Sequence, residues 1–453
     1  MLYNIVKWIA RLTLHSYFRR IVITGYNNVP SKGPVIFVAN HPSAFMDPMV
    51  VATFIGRPLH FLAAAEFFGK GLKSVLYSKY LNMIPVYRPS TLPNETHQNE
   101  AIFSKCFELL GKGGALLVFP EGNSVTEKRI RKLKTGVARM ALGTRANSPN
   151  NTMVEIIPIG LNYSNPHRFQ SDLFINIGKP ISTSTFSSDP SEVVRLTQEV
   201  EECLKETILH VQNEKLDSVV KKIELIVKNK FQEDYKTASK KEEEFSFLQK
   251  VIESIQMIRE NQPQLITNLE LKLDLYLTRI RDLGISDRSV ADLSLLGSVR
   301  DLFRLISTLP FFLVGFITNS IPYYTTVFYF RKLNLFWREG YKPPHKKVNP
   351  AFKGSISMAI GMVLFILFYL ILAAISTWLT KNVWIGLSSL ILFYFSGLFT
   401  MRYIRWFVLF KQKLKFRNLL REKQELFTSL IIERQAIIEE LKVATNYREL
   451  PEK

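Results

Sequence analysis

Gly33 to Pro48 reads GPVIFVANHPSAFMDP. After Gly33-Pro34, the run VIFVA at 35–39 is continuously apolar, β-branched and aromatic. A run with no polar alternation suits a strand buried on both faces. His41 stands where that strand ends, and Asp47 follows six residues later. Proline fits the first position of a helix, where its missing N–H is not needed, so the stretch predicts a helix from Pro42. His41 would sit just before that helix and Asp47 about one and a half turns in. Two readings are open from this stretch alone. It is a capping turn with an unrelated acid, or a histidine base oriented by a carboxylate.

Outward from this strand, short apolar runs alternate with helical patterns from about Gly33 to Pro180. LHFLAA (59–64), ALLVF (115–119), VEIIPIGLNY (154–163) and LFINIG (173–178) read as strands bounded by Gly, Pro or Asn. EAIFSKCFELLGKG (100–113) and KTGVARMALGTRA (134–146) carry helical spacing between them. The expected fold is α/β, a mainly parallel sheet with flanking helices. In such a sheet, groups at the carboxyl ends of strands converge on one crevice. Four stretches sit at those ends: NHPSAFMDP (40–48), MIPVYRPS (83–90), FPEGNS (119–124) and IIPIGLNY (156–163). His41, Asp47, Arg88, Glu121 and Gly122 are therefore candidates for a single site.

Taken in order, these four blocks resemble those of the glycerolipid acyltransferase family, which moves fatty acyl groups onto glycerol phosphate and its lysolipids. LKTGVARMALG (133–143) is similar to the family's lysine-glycine segment. The spacing here is His-x5-Asp, one residue longer than the commonest form, and with Pro48 it resembles the eukaryotic-type enzymes acylating glycerol 3-phosphate or dihydroxyacetone phosphate. A changed turn must absorb the extra residue. The family's lysine before the acid of AAAEFF is replaced by Ala64.

The resemblance implies a catalytic pair, His41 and Asp47, and acceptor binding by Arg88, Glu121, Gly122, Ser124 and Lys134. An imidazole is matched to base catalysis near neutral pH, and a guanidinium fork suits a phosphate dianion. For Glu121 a buried structural salt bridge is the competing reading. For Arg129, Arg131 and Lys132, attraction of phosphate or coenzyme A competes with a plain solvated face. Pro85 and Pro158 read as structural. No cofactor is implied; the donor is an acyl-CoA or acyl-carrier-protein thioester, and the acceptor is glycerol 3-phosphate or lysophosphatidate.

The ends of the chain point to a membrane. In MLYNIVKWIARLTLHSYFRR (1–20), Lys7, Arg11, His15 and Arg19 share one helical face and Leu2, Ile5, Val6, Ile9 and Leu12 another. That is the pattern of a basic amphipathic helix in an interface, or of a surface helix packed on the domain. Residues 354–380 and 382–401 are uncharged and separated only by Lys381, which reads as a transmembrane hairpin. Lys346, Lys347 and Lys353 precede it and Arg402, Arg405 and Lys411 follow, so both outer ends are expected to be cytoplasmic. Residues 305–330 are also uncharged, but Pro310 and Pro322 divide them. A re-entrant or interfacial hairpin is expected there, with a third span as the competing reading.

The expected organisation is an amphipathic helix at 1–24, the acyltransferase domain at 25–190, a helical extension at 191–304, the segment 305–330, a basic loop at 331–353, the hairpin at 354–401 and a helical tail at 402–453. The net charge of +20 calls for an anionic partner. Much of it flanks the apolar segments, and no zinc-finger or RRM-type signature occurs, so membrane lipids rather than nucleic acid are expected. Cys106 and Cys203, the only cysteines, offer no metal spacing and no disulfide framework. The seven histidines are scattered, and no metal is expected. A lipid-binding protein that keeps the fold without the chemistry is the non-enzymatic alternative.

Overall fold

The computed structural model describes residues 2–69, 71–89, 91–148, 151–187, 189–230, 238–291, 299–336 and 350–446. The chain forms two compact units, Met1–His210 with Glu339–Met358, and Val211–Arg338 with Ala359–Lys453. Lys346, Lys347, most of the basic loop and the last residues of the tail lie outside the described residues.

The first unit contains α1 (Leu2–Tyr17), β1 (Arg20–Thr24), β2 (Val35–Ala39), α2 (Met46–Phe54), β3 (His60–Ala64), α3 (Leu72–Val75) and β4 (Met83–Val86). It continues with α4 (Asn99–Gly111), β5 (Ala115–Val118), α5 (Gly136–Asn147), β6 (Glu155–Tyr163), β7 (Asp172–Ile177), β8 (Ile181–Ser182) and α6 (Pro190–Glu206). The strands order as β1-β7-β6-β2-β5-β3-β4, with β8 also on β6. Pairs along that path are parallel except β6–β7. β2 lies at the centre and all five of its residues are buried.

The alternation of side chains along the strands separates two cores. Ile36, Val38, Leu116, Val118 and Ile156 pack under α4, α5 and α6. Val35, Phe37, Leu117, Ile157, Ile159 and Leu161 pack under α1 and α2. The sheet is covered on both faces, as a mainly parallel sheet must be.

Two boundaries differ from the sequence expectation. The N-terminal helix stops at Tyr17, and Arg20–Thr24 is a sheet strand parallel to β7. Five residues between arginines and a glycine are too few for a period of two to stand out from the preceding helical pattern. Likewise α6 belongs to the first unit, because Leu196, Val200, Leu204 and Ile208 complete one core cluster. Pro158 sits where the β6 edge changes partner. β7 pairs from Ile159 onward and β8 pairs at Glu155 and Ile156. A residue with no N–H is tolerated at that gap. Pro85 lies on β4, whose only sheet neighbour among the described residues is β3.

The second unit is helical: α7 (Asp217–Lys230), α8 (Ala238–Asn261), α9 (Pro263–Asp282), α10 (Asp287–Ala291), α11 (Val299–Phe336), α12 (Phe352–Thr380, whose first residues to Met358 belong to the first unit), α13 (Val383–Glu422) and α14 (Gln424–Asn446). Three of these, α11, α12 and α13, are long and apolar enough to cross a membrane. Trp378 and Trp384 stand 67% and 74% exposed beside the turn at Lys381, as residues anchored in an interface do.

α11 is one helix with both prolines inside it, not two arms joined by a turn. Its contacts show a change of direction. Leu305 O accepts from the Tyr403 hydroxyl, and Asn319 reaches Phe393 O, so this half runs antiparallel to α13. Asn319 also accepts from the Tyr369 hydroxyl, and Thr326 lies against Gly361, so the next stretch runs antiparallel to α12. α12 and α13 are themselves joined as a hairpin, and a straight helix cannot oppose both. Pro322 lies at the change of direction and removes a helical N–H there.

Candidate active site

The carboxyl ends of β2, β3, β4 and β5 open on one crevice, and each contributes a charged or polar group. β2 leads to His41, β3 to Glu66, β4 to Arg88 and β5 to the loop Phe119–Thr126.

The helix after His41 does not begin at Pro42. Residues 42–45 form a turn and α2 starts at Met46. Ala44 takes a positive φ of 41°, an uncommon conformation for a residue with a side chain. This turn absorbs the long spacing and brings Asp47, in the first helical turn, back to the histidine. His41 Nδ1 lies 2.8 Å from Asp47 Oδ2. A carboxylate only accepts, so Nδ1 carries the proton and Nε2 is left as the acceptor. Asp47 is wholly buried and takes two further donors: the Ser43 N–H at 2.7 Å and the Tyr163 hydroxyl at 2.7 Å. Burial first, and then the Asp47 charge, raises the Tyr163 phenol well above its ordinary value, so it remains a donor. Phe119 stacks on the imidazole at 4.1 Å.

The loop after β5 clamps the turn. Glu121 Oε1 accepts the His41 N–H at 3.2 Å. Ser124 Oγ donates to His41 O and accepts from the Ala44 N–H, both at 2.8 Å. The Val125 N–H and the Thr126 hydroxyl reach His41 O and Pro42 O. Glu121 also takes Arg131 Nε at 2.9 Å. Burial raises the Glu121 carboxyl, and the Arg131 charge draws it back down. Glu121 and Ser124 thus hold the turn that carries His41 and Asp47.

Arg88 Nη1 donates to Gly122 O at 3.1 Å and Asn123 Oδ1 at 2.9 Å, and Nη2 pairs with Glu66. Gly122 has φ of 76°, and a Cβ there would lie 2.6 Å from Lys134 Nζ. The Lys134 ammonium makes no hydrogen bond or ion pair among the described residues, and it lines the same cavity as Arg88. All seven residues singled out from the sequence meet here. Tyr163 and Glu66 were not singled out. Tyr163 was findable, because it continues the every-second-residue pattern Ile157, Ile159, Leu161 toward the face that α2 covers. Glu66 left no signal of its own beyond the missing lysine at Ala64.

A cavity of about 1250 Å³ runs from this polar end. His41, Arg88, Asn123 and Lys134 line the polar end, and Met49, Phe61, Ile102, Cys106, Val118 and Met140 line an apolar arm. α1 contributes Tyr3, Val6 and Lys7 to the wall, and α12 contributes Phe352 and Ile356.

Residues 20–162 match the family model described as Acyltransferase. Glycerol-3-phosphate O-acyltransferase 1 of Saccharomyces cerevisiae is 27% identical over 264 residues, covering 40% of this chain and 35% of that protein. A 1-acyl-sn-glycerol-3-phosphate acyltransferase of Borreliella burgdorferi is 26% identical over 209 residues, covering 46% of this chain and 73% of that protein. The crystal structure of the 1-acyl-sn-glycerophosphate (LPA) acyltransferase PlsC from Thermotoga maritima aligns at 22% identity with a TM-score of 0.32, over 45% of this chain and 77% of that one. The chain spans 35% and 39% of the first two curated relatives it matches. The region from Arg20 to Asn162, which holds the buried His41–Asp47 pair, is similar to the acyltransferase family over the whole of that match.

Proposed function

We propose that this chain is a membrane-bound acyltransferase that moves a fatty acyl group from an acyl-CoA or acyl-carrier-protein thioester to a hydroxyl of glycerol 3-phosphate. The observation that carries the reading is the His41–Asp47 pair at 2.8 Å, with the imidazole facing a cavity that also holds Arg88 and Lys134. Asp47 fixes the tautomer, and His41 Nε2, which has no hydrogen bond among the described residues, takes the proton from the acceptor hydroxyl. The oxygen attacks the thioester carbonyl. The C–S bond then breaks as the ester C–O bond remains, and the imidazolium returns its proton to the departing thiolate. Arg88 and Lys134 receive the acceptor phosphate, and the apolar arm receives the acyl chain.

The alternative reading takes 1-acylglycerol 3-phosphate as the acceptor in place of glycerol 3-phosphate. The Borreliella relative, covered over 73% of its length and named for that acceptor, supports this alternative. The basic residues flanking α12 and α13 support a cytoplasmic location for the outer ends of that pair.

The test uses membranes containing the full chain. Acyl-CoA is supplied with either acceptor, and thiol release and labelled lipid product are followed for wild type and His41→Ala. The variant is expected to lose about 10²- to 10⁴-fold in rate. Equal rates in wild type and variant would remove His41 from the chemistry. Product formed only from a phospholipid donor would replace the thioester with transacylation.

A further inference from the structure

The structure assigns to Glu66 the role of an internal anion that holds Arg88 until an acceptor phosphate displaces it, which makes Glu66 a specificity-determining residue for dianionic acceptors. The inference rests on the reading of Arg88 as the phosphate ligand and adds what that ligand does when the site is empty.

A guanidinium offers two flat two-pronged faces, one made by Nη1 and Nη2 and the other by Nε and Nη2. Nη2 belongs to both. In this chain Nη2 is paired with Glu66 Oε1. The other Glu66 oxygen accepts the Thr91 hydroxyl at 3.1 Å, which steadies the carboxylate in place. Arg88 Nη1 is engaged by Gly122 O and Asn123 Oδ1. Arg88 Nε is buried and has no hydrogen-bond partner among the described residues. The unpartnered Nε thus lies next to the one nitrogen that the carboxylate holds.

Each Nη carries two N–H groups; with those of Nη1 directed to Gly122 O and Asn123 Oδ1, a phosphate is left Nε and the second N–H of Nη2, and there it competes with the Glu66 carboxylate for the same nitrogen. On the Nε face it would also satisfy the orphaned N–H. Glu66, Arg88 and Lys134 all line the one cavity, so an incoming phosphate meets the carboxylate directly. A phosphate dianion, drawn also by the unpaired Lys134, can displace a monoanionic carboxylate. An uncharged hydroxyl compound gains nothing that offsets breaking the pair. Glu66 therefore lowers affinity for every acceptor, and least for the most highly charged.

The test measures binding of inorganic phosphate to the full chain in detergent by calorimetry, for wild type, Glu66→Gln and the double variant Glu66→Gln/Arg88→Gln. Glutamine keeps the shape and can still accept the Thr91 hydroxyl. Removing the competing charge is expected to tighten phosphate binding about 3- to 10-fold, the range of a partly exposed ion pair. The double variant is expected to lose that gain. Thr91→Val, which frees the carboxylate without touching any charge, should shift affinity the same way by a smaller factor. The KM for glycerol 3-phosphate in acyl transfer should fall with Glu66→Gln. Unchanged or weaker phosphate binding in Glu66→Gln, or a gain that survives loss of Arg88, overturns the inference. The binding readout does not depend on acyl transfer. A tighter phosphate site without transfer would sink the proposed activity and leave Glu66 standing, and transfer with no change in Glu66→Gln would do the reverse.

Discussion

At the scale of single residues, the governing fact is that Asp47 is wholly buried and still accepts three donors. A buried carboxylate that lost one of these would keep the desolvation cost without the compensating bond. Tyr163 is the donor that comes from outside the turn, so it ties the His41–Asp47 pair to the sheet. Tyr163→Phe removes only that hydroxyl. The expected cost is about 1.5–3 kcal/mol of stability, the range for a hydrogen bond to a charged group. A fall in kcat of about tenfold is expected with it, because Asp47 no longer holds His41 in one orientation. Thermal unfolding and steady-state kinetics of the full chain measure both, and a variant with unaltered kcat would refute the positioning role. The pair itself was legible in NHPSAFMDP. The turn that lets it form was not, because nothing about Ala44 announces a positive φ. That conformation is imposed by Ser124, which bonds both His41 O and the Ala44 N–H from 80 residues or more away.

At the scale of elements, the sheet could be read because its strands are short, apolar and bounded by turn residues. β1 escaped because it is an edge strand of five residues, held as much by Arg20 pairing with Asp172 at 3.0 Å as by apolar burial. The second unit shows the limit more sharply. Its sequence signals helices and nothing about how they meet. The structure places a buried node there, in which Asp287 accepts from Tyr276 OH at 2.6 Å, Arg434 Nε at 2.9 Å and Asn229 Nδ2 at 2.8 Å. Those residues span α7, α9, α10 and α14 and are separated by up to about 200 positions, so no local pattern reveals them. Asp287 and Arg434 side chains are 1% and 9% exposed. Arg434→Met would leave an uncompensated buried carboxylate and is expected to cost about 3–5 kcal/mol. Adding Asp287→Asn should restore part of that loss. A double-mutant cycle on unfolding in detergent measures the coupling, and strictly additive losses would mean that the two do not act as a pair.

At the scale of the whole molecule, the question is how many times the chain crosses the bilayer. Composition gives three apolar helices and a +20 charge. It cannot decide whether α11 passes through, because length and hydropathy are silent about direction. The contacts of α11 carry that information. Leu305 lies beside Tyr403 and Thr326 beside Gly361, both toward the end of the bundle opposite the Lys381 turn, with Asn319 between them at the level of Tyr369 and Phe393. A helix bent back far enough at Pro322 would leave both of its ends on one side. Residues before α11 and after α13 should then share a face, with the turn at Lys381 on the other. This is testable with single cysteines in a Cys106→Ala/Cys203→Ser background, at Glu108, Thr380 and Lys423, all exposed. A membrane-impermeant maleimide applied to sealed vesicles should label Glu108→Cys and Lys423→Cys from the same side and Thr380→Cys from the opposite side. If Glu108→Cys instead labels together with Thr380→Cys, α11 crosses completely.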